Sequence, residues 1–174
     1  NPRAGTMTPV DQEALRETAS AAGVRVVEIA RGVDVGAILR EALSKGARNF
    51  LAAGGDGTVH HVAQGLIGTE GVLGIIPVGT LNHLARDLDV PVGDWRDAFE
   101  VALRGEIRQI DVGSVNGRYF LNSLMLGLYP MVTEYRERFR SIHSRWRAYF
   151  KAIRLGLRHF PHVNLVVELG DRVE

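Results

Sequence analysis

The chain has 174 residues, of which 45% are hydrophobic, 7% aromatic and 24% charged; it has no cysteine and a formal net charge of +1. Such a composition excludes a disordered or fibrous chain and is enough for one or two globular domains, each with its own core. The absence of thiols excludes disulfides, cysteine zinc sites and thiol nucleophiles, and is compatible with a reducing compartment.

Residues 9–22 are expected to form a helix capped by Thr8, with Leu15 and Ala19 on its inner face and a stop at Gly23. Residues 24–30 are a β-rich run. A helix over 34–44 ends near Gly46, and residues 49–53 are a short apolar strand that leads into a glycine cluster. A helix over 58–67, a buried-type strand over 72–76 closed by Pro77, a helix opening at Thr80 and another over 94–103 continue the alternation. Strand and helix in turn predict an α/β fold with a mostly parallel sheet, flanking helices and ligands at the carboxyl ends of the strands.

After Gly105 the pattern changes. Strands over 109–115 and 118–124 flank Asn116-Gly117, a dipeptide that supplies the positive φ angles of a tight hairpin. A last strand is expected over 163–169, ended by the turn signal Gly170-Asp171 with no partner strand after it.

Between residues 135 and 160 lie eight Lys or Arg residues against one acid, Glu137, a local charge of +7; the 13 bases and 19 acids elsewhere give −6. Phe139, Ile142, Trp146, Phe150, Ile153, Leu157 and Phe160 recur there at steps of three or four, one apolar stripe along a helix. From Arg136 to Arg158 the helix therefore suits an anionic membrane surface, and equally a stripe packed on its own domain with its cations solvated. No nucleic-acid motif accompanies the cations. The longest uncharged runs, 71–85 and 119–133, are 15 residues each, too short for a membrane span. The opening Asn1-Pro2-Arg3-Ala4-Gly5 lacks the initiator Met and the pattern of a secretory leader. The expected location is cytoplasmic, peripheral to the membrane.

Two loops carry the chemistry. Leu51-Ala52-Ala53-Gly54-Gly55-Asp56-Gly57-Thr58 puts three glycines and a threonine between a strand and a helix, where backbone amides and the helix dipole favour phosphate. Pro77-Val78-Gly79-Thr80-Leu81-Asn82 repeats the arrangement after the next strand, so the pair would form one amide-lined rim. Neither is a P-loop nor a dinucleotide fingerprint. Asp56 would repel phosphate unless Mg²⁺ bridges them or its carboxylate accepts a proton from an attacking hydroxyl; it also fits an N-cap.

At these residues the sequence resembles the catalytic domain of diacylglycerol kinases, shared with sphingosine kinases and bacterial lipid kinases. The matching segments are Asn1-Pro2-Arg3-Ala4-Gly5, Gly54 to Thr58, Gly79-Thr80-Leu81-Asn82 with Ala85-Arg86, and Asp111-Val112-Gly113 leading to Phe120-Leu121-Asn122. The resemblance implies a nucleotide-binding domain over 1–107 and the start of an antiparallel β-sandwich substrate domain over 108–174. It also implies ATP and Mg²⁺ as cofactors and a diacylglycerol-like lipid as acceptor of the γ-phosphoryl group. Asn1, Gly54, Gly55, Gly57, Thr58, Gly79, Thr80 and Asn82 would contact the nucleotide. Asp56 would be base or magnesium-organising acid, and Asp111 a supporting acid.

Departures from that pattern are informative. His83 and His61 stand where relatives commonly carry acids, which thins the acidic cluster; Asp87, one turn beyond His83, is a candidate to compensate. His60 and His61 also fit ordinary surface positions, and without matched ligands they do not make a zinc site. In relatives a strand precedes the Asn-Pro turn and more strands follow the sandwich start, so both ends are expected to be cut, with exposed edges that favour a homodimer. The alternatives are a kinase for a soluble acceptor such as NAD and a nucleotide-binding module without catalysis.

Overall fold

A computed structural model of the chain describes residues 7–30, 32–123, 150, 153–154, 168–169 and 172–173. The chain divides into two compact units, Asn1–Asn122 and Ser123–Glu174.

Helix α1 (Pro9–Ala21) starts where the sequence places its cap. The Thr8 hydroxyl accepts the Asp11 amide at 3.1 Å and donates to the Asp11 carboxylate at 2.6 Å, with Pro9 in the first turn, where its missing N–H costs nothing. Helix α2 (Val35–Ser44) is capped by Asp34, whose carboxylate accepts the Ala37 amide at 2.9 Å. Strand β1 (Asn49–Gly54), helix α3 (Asp56–Leu66) and strand β2 (Val72–Pro77) form a βαβ unit, and the strands pair in parallel from Asn49 opposite Val72 to Gly54 opposite Pro77. Two short steps follow, α4 (His83–Asp87) and α5 (Trp95–Arg104), the latter capped by Asp94 on the Arg96 amide at 2.9 Å.

The two-residue period of a strand distributes the core. Ile75 faces Val35 and Leu39 of α2, Val59, Val62 and Leu66 of α3, and Leu84 and Ala85 of α4. Ile76, its neighbour in sequence, faces Ala19 of α1 and Trp95 and Phe99 of α5. Helices thus cover both faces of the parallel pair, and each buried isoleucine contributes on the order of 1.5–3 kcal/mol. The α/β class with a parallel sheet flanked by helices is the observed one.

Several expected elements differ. Residues 24–30 carry β-forming side chains but join no ladder, and Val26 and Val27 are exposed; β-propensity acts only where a paired edge receives it. The strand expected over 109–115 is reduced to β3 (Gly113–Val115), antiparallel to β4 (Arg118–Phe120), while residues 105–112 are irregular and exposed up to Asp111. The hairpin turn itself is as expected, with φ 50° at Asn116 and 74° at Gly117. The helix expected from Thr80 begins only at His83, because Asn82 takes a left-handed φ of 52° that ends any continuous helix there. Near the C-terminus, β5 (Glu168–Leu169) and β6 (Arg172–Val173) pair antiparallel, so Gly170-Asp171 does have a partner strand after it: antiparallel pairing needs only a short connection.

Of the basic stretch, Phe150, Ile153 and Arg154 are described, and all three are helical; its other residues lie outside the described ones. Among the described residues no helix is long and apolar enough to cross a membrane.

Side chains brace the hairpin on the first unit. Gln64 of α3 donates to the Tyr119 carbonyl at 2.8 Å, and the Asn122 amide donates to the Asp87 carboxylate of α4 at 3.0 Å.

The cap of α1 carries a pH signature. The hydrogen bond from the Thr8 hydroxyl, above all, holds the Asp11 carboxyl below its ordinary value; the Trp95 indole and Arg96 act in the same direction. The indole Nε1–H is buried without a partner at bonding geometry, so its share is the weaker one. A carboxylate lowered on folding adds stability above its unfolded-state pKa and loses it as the pH falls through the folded value. Thr8→Ala is expected to move the Asp11 midpoint back up towards the ordinary carboxylate range in an NMR titration of its side-chain carboxyl. An unmoved midpoint would assign the shift to another group.

Candidate functional site

The site forms where β1 and β2 end side by side. Parallel pairing brings Gly54 opposite Pro77, and one further bond, from the Val78 amide to the Gly54 carbonyl at 3.1 Å, carries the ladder into both loops. The two turns then touch through their backbones. A Cβ at Gly55 would lie 3.1 Å from the Gly79 Cα, and one at Gly79 would overlap the Gly55 backbone. Only glycine allows this approach, and it makes one rim of two loops.

In the first loop, Gly55 caps α3 in extended conformation without any side-chain bond. The amides of Thr58 and Val59 close on the Gly55 carbonyl at 2.9 and 3.1 Å. The amides of Asp56 and Gly57, the first two of an eleven-residue helix, have no acceptor among the described residues. Gly57 is exposed, with open space where a side chain would stand. This end of α3 therefore offers two N–H donors and the positive end of a helix dipole.

In the second loop, Asn82 is 6% exposed and turns inward. Its Oδ1 accepts the Gly79 amide at 3.0 Å, and its Nδ2 donates to the Gly79 carbonyl at 2.8 Å, so the side chain closes a ring on the glycine. The left-handed backbone of Asn82 suits asparagine best after glycine. Thr80 and Leu81 remain at the exposed tip, Leu81 at 59% exposure.

Asp56 joins the loops chemically. Its Oδ1 accepts the Leu84 amide at 3.3 Å, which ties the start of α3 to the first turn of α4. Its other oxygen has no protein donor among the described residues, and the side chain is half-buried beside the free amides. Asp56 is thus both a helix cap, though for α4 rather than for its own helix, and a carboxylate presented at the rim.

The structure brings Gly54, Gly55, Asp56, Gly57, Thr58, Gly79, Thr80 and Asn82 together. Within that group, Gly54, Gly79 and Asn82 are buried and spend the main-chain or side-chain groups described above on the loops themselves, whereas Gly57 and Thr80 face solvent. Asp111 is not brought in: it is exposed in the irregular segment and makes no hydrogen bond or ion pair with the loops. Asn1 lies outside the described residues. His61, His83 and Asp87 are exposed, and Asp87 is engaged by Asn122.

Among the described residues no group of three His, Asp or Glu side chains could enclose a metal ion. A single carboxylate still fits Mg²⁺, which keeps most of its waters and is commonly held by one or two carboxylates plus substrate phosphates. Asp56 supplies one such carboxylate at the rim.

The chain is similar to known proteins. Residues 1–115 match the family described as the diacylglycerol kinase catalytic domain. The diacylglycerol kinase of Bacillus subtilis is 47% identical over 75 residues, which cover 42% of this chain and 25% of that protein. The diacylglycerol kinase of Mycobacterium tuberculosis is 36% identical over 134 residues, 73% of this chain and 43% of that protein. That of Staphylococcus saprophyticus is 34% identical over 127 residues, 71% and 41% respectively. The chain spans less than half the length of these relatives.

The back-to-back glycines make a stability prediction. Gly79→Ala forces backbone against backbone and is expected to cost about 1–3 kcal/mol, read as a lower midpoint in denaturant unfolding followed by circular dichroism. Gly57→Ala, whose methyl group would meet open space, is expected to be neutral or slightly stabilising. Equal effects at the two positions would contradict the packing of the loops.

Proposed function

The chain belongs to the diacylglycerol kinase catalytic domain family, and from that premise we propose that it is the nucleotide-binding portion of an ATP-dependent kinase whose acceptor is the hydroxyl of a diacylglycerol-like lipid. The observation that supports this reading is the fused loop pair, with two unengaged amides and a half-buried carboxylate at one rim.

In this reading the triphosphate lies along the rim, its oxygens accepting from the amides of Asp56 and Gly57 at the dipole of α3. The lipid hydroxyl oxygen bonds to the γ-phosphorus as the bond from that phosphorus to the β,γ-bridging oxygen breaks, and ADP leaves. The hydroxyl proton passes to the free oxygen of Asp56. The Leu84 amide on the other oxygen tethers the carboxylate at the rim and narrows the orientations open to it before the transfer. A magnesium ion, when bound, would neutralise charge on the phosphate oxygens; it keeps most of its waters, through which Asp56 would organise it while the free carboxylate oxygen takes the proton.

A lipid acceptor has to be met at a membrane. The stretch from Arg136 to Arg158 supplies the charge for an anionic cytoplasmic leaflet, at about 1 kcal/mol per cation close to the surface. In this reading the protein works at the cytoplasmic face of the membrane.

The full-length protein incubated with γ-labelled ATP, Mg²⁺ and diacylglycerol in anionic vesicles is expected to move label into the organic phase. Label that enters only a water-soluble product would instead indicate a soluble acceptor, and ATP binding without transfer a non-catalytic module. Asp56→Asn is expected to lower turnover by about a hundredfold or more while the thermal melting midpoint stays within a few degrees. Undiminished turnover would remove Asp56 from the chemistry.

A further inference from the structure

The loops as described hold a charge problem. A nucleotide triphosphate brings several negative charges to two loops, residues 54–58 and 77–82, whose one ionisable side chain is itself an acid, Asp56. Between Arg48 and Arg96 the sequence that builds both loops contains a single Lys or Arg, and it is Arg86. Helix α4 places it directly behind the second loop. Its Nε donates to the Leu81 carbonyl at 3.0 Å, which holds the guanidinium against the main chain of the loop tip. That bond uses one of the five N–H donors of the group. The remaining four face no acceptor among the described residues, and no carboxylate pairs with the side chain: Asp87, next in sequence, is engaged by Asn122 instead. An exposed arginine with its plane fixed at one edge and its fork free is arranged for bidentate recognition of phosphate.

We propose that Arg86 is a phosphate-binding residue of this site, its free Nη groups taking oxygens of the nucleotide's polyphosphate at the tip of the second loop. The inference rests on the reading of the two loops as a polyphosphate cradle and adds its counter-charge. The bond to Leu81 makes the placement economical: the contact that orients the guanidinium also stiffens the loop, so little side-chain freedom remains to be lost when phosphate arrives.

The test is calorimetric titration of the full-length protein with ATP and, separately, with adenosine, for the wild type, Arg86→Ala and Arg86→Gln, with thermal melting as the control for folding. The glutamine side chain keeps a donor for the Leu81 carbonyl but carries no charge. Both variants are expected to bind ATP about ten- to a hundredfold more weakly, with adenosine affinity unchanged. ATP affinity equal to wild type in either variant would overturn the inference and leave the cradle reading intact; recovery in Arg86→Gln alone would assign Arg86 to bracing the loop only. A wild type that binds adenosine and ATP equally would overturn the cradle reading and this inference together.

Discussion

The contact between Gly55 and Gly79 is the constraint from which the site follows. Two parallel strands end in register, and their turns come so close that a Cβ at Gly79 would overlap the Gly55 backbone and one at Gly55 would be tight against the Gly79 Cα. Once the backbones touch, the start of α3 and the approach to α4 are held together, and Asp56 can reach the Leu84 amide across the gap. A side chain on Gly79 would push the loops apart and with them the carboxylate and its anchor. The rim is therefore a product of backbone packing, and its polar groups are placed by that packing rather than by a network of their own.

The rest of the first unit serves to fix the ends of β1 and β2. Adjacent isoleucines 75 and 76 commit opposite faces of β2 to separate cores, one closed by α2, α3 and α4, the other by α1 and α5. Side-chain caps from Thr8, Asp34 and Asp94 start three of those helices at defined residues. The helix at the centre, α3, has no such cap. Its first donors are left for something outside the fold, which is the local inconsistency expected where a sequence serves a ligand rather than its own stability.

How much was legible in the sequence varied with the range of the interaction involved. Caps, the strands that run into glycines and the Asn116-Gly117 turn are local signals, and the structure has each of them close to its expected place. Residues 24–30 have the composition of a strand, but a strand is a relation between two segments, and composition does not supply the second. Asn82 shows the same limit at the scale of one side chain. Its identity fitted a ligand contact, while its burial and its two bonds to Gly79 make it a closure of the loop. The bond from Asp56 to Leu84 spans 28 positions and has no sequence signature. Asp111 illustrates the converse, an acid in a matching motif that is exposed in an irregular segment and has no hydrogen bond or ion pair to the loop residues.

The closure by Asn82 bears on how the protein ages. Loss of ammonia from that side chain would replace the donor to the Gly79 carbonyl with a second acceptor, setting two oxygens against each other in a buried ring. Both ends of the amide are held by the turn they shape, and water has little access to them. The position where deamidation would do most harm to the rim is thus also shielded from it, so the lifetime of the site is guarded by the hydrogen bonds that give it its form.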